Sequence, residues 1–249
     1  QTVRRGYGYA GIPDPDGGEL APAGSGIWRM DIETGASELI YSIAQAASLD
    51  PPGGEPFKAD ARHWLYHLLV STDGSRLAFL HCNAGDDGVI FCRMITTDLD
   101  GGNAHVLDPN GKTSHYDWRD GSTVLAWALD PDNGYGFYLF DDKTRAVEQI
   151  GEGIMTVNGH CTYLKDRRWI LNDTYPDGAG NQNPFLFDTE TERRYSLGAF
   201  NSPSDYRGEF RCDTHPRSSR DGRTVVIDSP HEDGRQMYLI DVSSILDSV

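Results

Sequence analysis

The sequence predicts an all-β fold, a β-propeller of four-stranded antiparallel blades. The first observation is composition, since 28 Gly and 13 Pro among 249 residues favour many short strands joined by tight turns. The second is one hairpin pattern that recurs five times, and the third is another hairpin that precedes four of these copies. Such a unit cannot bury both of its faces alone, and stacking units around an axis covers them. We therefore expect one propeller domain over residues 1–249.

The recurring hairpin is an apolar strand followed by a turn that opens with aspartate, whose carboxylate can accept hydrogen bonds from the amides that follow. The later copies are 43, 47 and 53 residues apart, close to the roughly 40–50 residues of a propeller blade. The turn residues are Asp31, Asp98, Asp141, Asp188 and Asp241.

The preceding hairpin turns at Asp-Gly in three copies and at Asp-Arg in the other. Its turn residues are Asp73, Asp120, Asp166 and Asp221. Two hairpins complete a blade, so we expect four blades over residues 63–249 and the later strands of another within 1–45. An inserted connection over 46–62 separates them, with one helical turn at SIAQAAS. About five blades are thus visible, either as a five-bladed ring or as part of a larger one.

Charge and motifs exclude several classes of function. A net charge of −16 argues against a nucleic-acid binder, which needs a basic face, and a polyanion could bind only where local Arg or a metal reversed the field. No apolar run is long enough for a membrane span, so we expect no membrane partner. The chain lacks GxSxG, a P-loop, GxGxxG after a strand and HExxH. The first residues, from Gln1, lack the apolar core of a signal peptide, which leaves a cytoplasmic or periplasmic location open.

The four cysteines form no CxxC pair, which argues against zinc-ribbon and thioredoxin functions. Cys82 and Cys92 flank a short loop and can meet across a hairpin. A disulfide and a pair of buried free thiols both remain open at this point.

Histidines recur at one repeat position, five or six residues before the first-hairpin turn aspartates, at the start of each blade's first strand. They are His67, His115, His160 and His215. The innermost strands of a propeller line its central channel, so equivalent positions on neighbouring blades converge there. We expect these imidazoles to lie close together, with His67 more peripheral.

The residues two and four before each histidine share its face of the strand. On this rule His63 joins His67, and Arg211 and Asp213 join His215. Imidazoles with a carboxylate and a guanidinium are typical of a divalent metal site with an anion clamp. A polar channel lining without chemistry remains the alternative.

Other candidates lie near the expected channel mouth. Tyr175 and Arg217 are candidate substrate contacts, whereas His81 and His231, at or just past the ends of second strands, are expected in solvated loops.

The segments GHCTYLKDRRWILNDTYPD and RCDTHPRSSRDGRTVVIDSPHEDGRQMYLIDVS resemble the TolB-like propeller repeats of the oligogalacturonate lyase family and its bacterial relatives. The resemblance extends from about Tyr7 to Val242. Members of that family are seven-bladed and cleave uronate-containing saccharides by β-elimination with a divalent metal, typically manganese. The resemblance therefore implies a seven-bladed propeller of which about two N-terminal blades lie outside this chain.

The resemblance also implies roles for individual residues. His160 and His215 match metal ligands, and His115 matches the base that abstracts a proton. Asp213 stands where the family has another ligand histidine, and Phe210 where it has a glutamine ligand.

The expected function is a metal-assisted lyase that acts on a uronic-acid oligosaccharide. Arg211 would assist by neutralising the substrate carboxylate, and His67, His63, Arg217 and Tyr175 would contact the substrate. The expected cofactor is a divalent metal, manganese by resemblance. The alternative is a non-catalytic TolB-like propeller that binds a protein or a carbohydrate, and a hydrolase on the same scaffold is a further possibility.

Overall fold

The structure is a computed structural model that describes residues 15–50 and 56–248. Its sheets are all antiparallel, and four of them are blades in a propeller ring. The all-β propeller prediction is therefore confirmed. Part of the predicted partial blade (1–14, including Tyr7) and part of the predicted connection (51–55) lie outside the described residues. Among the described residues, no helix has the length and apolarity needed to cross a membrane.

A two-stranded sheet, here called the leading hairpin, precedes the four blades. It consists of β1 (Gly26–Met30) and β2 (Ser37–Ser42) and leads into the short helix α1 (Ile43–Ser48). The Ser42 side chain and the Gln45 amide form a capping box that explains why the helix starts there. The predicted helical turn is thus present.

The blades follow in chain order, and we call them A to D. Blade A contains β3 (Arg62–Val70), β4 (Arg76–Ala84), β5 (Ile90–Asp98) and β6 (His105–Asp108). Blade B contains β7 (Tyr116–Trp118), β8 (Thr123–Asp130), β9 (Gly134–Asp141) and β10 (Val147–Ile150). Each strand in these two blades pairs with the next one along the chain.

Blades C and D depart from this regular order. Blade C contains β11 (Thr162–Tyr163), β12 (Trp169–Asn172), β14 (Phe185–Asp188) and β15 (Arg193–Ser196), while β13 (Asn181–Gln182) pairs with β16 (Phe200–Asn201) in a small separate sheet. Within the described residues, blade D contains β17 (Arg217–Ser218), β18 (Thr224–Ser229) and β19 (Gln236–Asp241), followed by α2 (Ser243–Leu246).

The sequence predicted four complete blades. Among the described residues, blades A, B and C are complete, and blade D has three strands. Residues 243–246 form α2 where a fourth strand was expected. The Asp241 carboxylate accepts a hydrogen bond from the Ser243 amide, and Ile245 and Leu246 pack against the apolar cluster between blades C and D. This contact partly buries the apolar residues of the segment without a strand.

The turn aspartates hold the repeat together as predicted. Asp73, Asp120, Asp166 and Asp221 each accept a hydrogen bond from the amide two residues later, at 2.9–3.1 Å. Asp98 differs from the other second-hairpin aspartates. Its carboxylate binds the side chains of Arg76 and Asn103, whereas each of the others accepts a hydrogen bond from the amide two residues later.

The core consists of apolar clusters between successive sheets, and β8 shows how they form. Val124, Ala126 and Ala128 pack toward blade A, whereas Leu125 and Trp127 pack toward blade C. Successive side chains of a strand point to opposite faces, so the middle of β8, from Val124 to Leu129, is apolar at every position.

Two further contacts strengthen blade A. Cys82 and Cys92 lie directly opposite each other on β4 and β5 and form a disulfide, with 4.1 Å between their Cα atoms. The buried Asp142 carboxylate of blade B accepts hydrogen bonds from Arg76 and His105 of blade A, both at 2.8 Å. Cys161 and Cys212 are buried free thiols.

Candidate functional site

Three of the four repeat histidines lie side by side at the entries of the innermost strands. The ring centroids of His160 and His215 are 3.6 Å apart, and those of His115 and His160 are 4.3 Å apart. His67 is more distant, with its ring centroid 6.1 Å from that of His115. The four histidines occupy equivalent positions in the repeat, and the fold brings their side chains together from four blades, as the repeat predicts.

The backbone of two of these histidines has an uncommon conformation. His67 has φ +58° and His215 has φ +38°, in the left-handed region that non-glycine residues rarely adopt. Such strain persists only where the surrounding structure enforces it, and it concentrates at functional sites.

A buried carboxylate, Asp173, connects the strand entries of blades C and D. It accepts hydrogen bonds from the His160 amide at 2.7 Å and from the His160 Nδ1 at 3.0 Å. It also accepts hydrogen bonds from the Thr214 hydroxyl and, at 3.1 Å, from the His215 amide. Because Nδ1 of His160 carries the donated proton, its Nε2 is left with a free lone pair.

Sequence reasoning missed Asp173. Its only local signal is a polar residue directly after the fully buried strand β12. Gly159 makes the contact possible, because a Cβ atom there would lie 1.9 Å from the Asp173 carbonyl oxygen.

The electrostatics of this carboxylate are set by its partners. Burial pushes the pKa of Asp173 upward, but hydrogen bonds from His160 and Thr214 outweigh burial and hold the pKa below its usual value. Burial and the neighbouring His160 lower the pKa of His215. At neutral pH the site therefore combines an ionised carboxylate with a neutral His215 imidazole.

Two amide side chains position the other groups. The buried Gln182 donates to the Cys212 carbonyl at 2.9 Å and accepts from the Thr214 amide at 2.7 Å, which fixes the segment that carries Asp213. No motif around Gln182 marked this role in the sequence.

Asn158 sets the tautomer of His115. Its amide nitrogen donates to the Ser114 hydroxyl at 3.2 Å, and its carbonyl oxygen lies 3.1 Å from the His115 Nδ1. Nδ1 therefore carries the proton, and Nε2 is an acceptor that faces the Tyr175 hydroxyl at 3.4 Å. Burial, together with the nearby His160, lowers the pKa of His115 to about 4.

His160, Asp213 and His215 offer one ligand atom each, and these atoms all lie within 4.8 Å of one another. Ligand bonds of about 2.0–2.2 Å place two ligand atoms on one ion at most about 4.4 Å apart, so small side-chain rotations complete the geometry. Two imidazoles and a carboxylate suit a divalent transition metal, and three protein ligands leave coordination positions for a substrate.

Arg211 binds the same Asp213 carboxylate that would hold a metal ion. Its Nε and one terminal nitrogen each donate to a different Asp213 oxygen, both at 2.8 Å. A carboxylate has about four acceptor positions, so Asp213 keeps lone pairs for a metal. The Arg211 guanidinium also lies 4.8 Å from the Tyr175 ring centroid. Burial raises the pKa of Tyr175, although Arg211 opposes the shift.

These groups open into a cleft of about 860 Å³. His115, His160, Tyr175, Arg211, Asp213 and His215 form one side of the cleft, and residues of β3 form another. Both the volume and the concentration of polar groups are typical of a ligand site.

Three residues singled out in the sequence are not among those that line the cleft. The His67 carbonyl accepts a hydrogen bond from the Tyr116 hydroxyl, and burial together with the nearby Arg217 lowers the pKa of His67 to about 4. Arg217 is exposed and donates to the Pro216 carbonyl at 2.8 Å. Phe210, at the end of a short 3-10 helix, is 65% exposed and has no ligand atom to offer.

His63 does not join the histidine cluster, contrary to the strand-face argument. A β-bulge between Tyr66 and Leu69, with the left-handed backbone of His67, breaks the alternation on which that argument depended. The Nδ1 of His63 instead lies 2.8 Å from the Nε2 of the fully buried His81. The expectation of a solvated His81 was therefore wrong as well.

The buried Arg93 fixes the protons of this pair. Its Nε donates to the His81 Nδ1 at 3.0 Å, so His81 carries its proton on Nε2 and donates to the His63 Nδ1. His63 then carries its proton on Nε2 and has no lone pair left for a metal. Burial, with Arg93 nearby, lowers the pKa of His63 to about 4. This network is structural, because Arg93 also donates to carbonyls at the end of α1.

His231 is also remote from the cluster. It packs against Phe200 and Tyr238 near the small sheet formed by β13 and β16.

No protein-family model matches the sequence, and no curated protein matches it. Solved structures do match. An oligogalacturonate lyase in complex with manganese is 14% identical, with 88% of this chain and 72% of that chain covered and a TM-score of 0.51. TolB from Acinetobacter baumannii is 17% identical, with 86% and 45% covered and a TM-score of 0.54.

A puromycin-hydrolyzing peptidase of Mycobacterium tuberculosis is 15% identical, with 76% of this chain and 29% of that chain covered and a TM-score of 0.52. At such identities the likeness is one of fold. The chain has the propeller fold that oligogalacturonate lyases and TolB-like proteins share, and that fold serves enzymes and non-enzymes alike.

Proposed function

We propose that the protein is a metal-assisted lyase that cleaves uronic-acid-containing oligosaccharides by β-elimination. The observation that carries the proposal is the convergence of His160, Asp213 and His215 within 4.8 Å, with the His115 ring directly beside His160. A solved neighbour with this fold is an oligogalacturonate lyase in complex with manganese, which supports the choice of reaction and of ion.

His160, Asp213 and His215 would hold the ion, with manganese the first candidate. When bound, a divalent metal neutralises the uronate carboxylate and so makes the neighbouring C5 proton more acidic. Arg211, which also lines the cleft, uses two nitrogens to bind Asp213 and can donate a hydrogen bond to that carboxylate from its remaining terminal nitrogen. These local charges allow an anionic substrate to approach a protein of net charge −16.

His115 is the proposed base. Its neutral imidazole offers Nε2 to the cleft because Asn158 binds the proton on Nδ1. As Nε2 takes the C5 proton, the electron pair of that bond forms the C4–C5 double bond. The bond from C4 to the glycosidic oxygen then breaks, and this oxygen requires a proton.

Tyr175 is the proposed donor of that proton. Burial keeps its hydroxyl protonated at neutral pH by raising its pKa. Its hydroxyl lies 3.4 Å from the His115 Nε2, so the proton taken from C5 can return to the tyrosine oxygen. The two side chains thereby complete the proton balance of the elimination.

The alternative is a non-catalytic propeller that binds a protein or a carbohydrate. The likeness to TolB supports this alternative at the level of the fold alone. The metal ligands distinguish the two proposals. The lyase proposal predicts bound metal after purification and an unsaturated product that absorbs in the ultraviolet. Chelation should abolish product formation, and added Mn²⁺ should restore it. A protein without metal and without product on several uronate polymers would exclude the lyase.

A further inference from the structure

The cleft has a second wall whose chemistry differs from that of the metal ligands. This β3 wall consists of Arg62, Trp64 and Tyr66 and faces the same volume as the histidine cluster. Asp60 and Asp86 lie at its edge. None of these residues is needed to hold the ion or to move a proton.

The alternation of β3 explains why its aromatic rings reach the cleft. Arg62, Trp64 and Tyr66 are two residues apart and precede the β-bulge, so their side chains share one face of the strand, and Tyr66 is 44% exposed. Trp64 is partly buried, packs against the apolar cluster between blades A and B, and also lines the cleft. A ring that is anchored on a core and open to a cleft is a rigid platform for the apolar face of a ligand.

The polar groups of the wall complement those rings. The two terminal nitrogens of Arg62 donate to the carbonyls of Glu19 and Gly17, both at 2.8 Å. The guanidinium is thus held in place by neutral groups and keeps its charge for an anion. The Asp60 carboxylate accepts a hydrogen bond from the Asp86 amide at 2.8 Å. The carboxylates of Asp60 and Asp86 both have further acceptor positions for hydroxyl groups.

We propose that the β3 wall binds a second sugar unit of an acidic oligosaccharide, adjacent to the unit held at the ion. Sugar C–H faces pack on Trp64 and Tyr66, and Arg62 binds the carboxylate of that unit. Asp60 and Asp86 accept hydrogen bonds from its hydroxyls. The inference depends on the proposed function and adds to it a preference for oligomers over the free uronic acid.

The test is a binding measurement in which no substrate is consumed. In a His115→Ala background, calorimetry would compare galacturonic acid with its tetramer and with a neutral tetramer of the same linkage. The acidic tetramer should bind at least tenfold more tightly than the monomer. Tyr66→Ala and Trp64→Ala should each weaken tetramer binding about tenfold, as expected for the loss of a stacked ring, and should leave monomer binding unchanged.

The control is Trp28→Ala, because Trp28 is a 55% exposed tryptophan of the leading hairpin, outside the cleft lining. It should leave the affinity for every ligand unchanged. Trp64 is partly in the core, so thermal melting would show whether Trp64→Ala folds, and the same measurement applies to Tyr66→Ala, whose side chain is 44% exposed. Arg62→Gln should remove the preference for the acidic over the neutral tetramer.

Equal affinities for monomer and tetramer, or tetramer binding that survives both aromatic substitutions, would overturn the inference. Failure of the lyase proposal gives a different result, since a binding module would retain length-dependent binding without forming an unsaturated product. A lyase without this wall would form product with no dependence on length.

Discussion

Asp173 accepts hydrogen bonds from both the amide and the side chain of His160, at 2.7 and 3.0 Å. A buried carboxylate behind a metal-ligating imidazole fixes the ring orientation and increases the basicity of the free nitrogen. This relationship gives the proposed metal centre its most specific test.

Asp173→Asn should reduce metal affinity about 10–100-fold, the usual effect of losing such a partner. An asparagine amide cannot accept all the donors that surround Asp173, so one donor would face another. Titration with Mn²⁺ below the melting temperature measures the affinity. The matched control is Asp177→Asn, which changes an exposed turn aspartate nearby. Equal loss of affinity in both variants would contradict the assignment.

His115→Ala should lower the rate of product formation about 100-fold or more, because a general base typically contributes that much. Metal content should remain at the level of the unaltered protein, since His115 is not one of the three ligands. The rate is measured from ultraviolet absorbance and the metal by elemental analysis. Loss of metal together with activity would make His115 a ligand rather than the base.

Tyr175→Phe should lower kcat about 100-fold with little change in KM, because it removes the proton donor and keeps the ring. Steady-state kinetics on one oligouronate measures both constants. Tyr135→Phe is the control, because Tyr135 is exposed and remote from the cleft lining. A change confined to KM would assign Tyr175 to substrate binding alone.

Asp142 makes stability depend on pH. Burial raises its pKa, but hydrogen bonds from His105, Thr96 and Arg76 outweigh burial, so the folded-state pKa lies below the unfolded value of about 3.9. The stabilisation is therefore complete above pH 3.9 and is lost as pH falls through the lower folded-state pKa.

Asp142→Asn should accordingly cost about 1–3 kcal/mol of unfolding free energy at pH 7, and less as the pH is lowered toward 2. Denaturant unfolding at both pH values measures the difference. The control Asp247→Asn alters an exposed pair with Arg223 and should cost under about 1 kcal/mol at either pH. A constant difference between the Asp142 variant and the unaltered protein would disprove the linkage.

The sequence predicted the positions of the four blades because the repeat consists of local signals. Each first-hairpin turn aspartate accepts an amide hydrogen bond within its own hairpin, and each repeat histidine lies five or six residues before such a turn. The convergence of His115, His160 and His215 follows from this register and from propeller geometry.

Other parts of the site depend on contacts that no local pattern encodes. Asp173 receives its donors from the starts of two different blades, and Gln182 reaches residues 30 and 32 positions further along the chain. His63 was misplaced because a single bulge in β3 shifted the later residues to another face. In the described part of the chain blade D has three strands, because the segment after β19 forms α2, whose Ile245 and Leu246 pack on the cluster between blades C and D.

The proposed ligands belong to two blades, since His160 precedes β11 of blade C and both Asp213 and His215 precede β17 of blade D. An ion held by all three would link blade C to blade D. Separating the three-stranded blade D from its neighbour would then require release of the ion, so occupancy and the attachment of the last blade are thermodynamically linked. The same centre that activates a substrate would thereby secure blade D, in which the described residues form three strands.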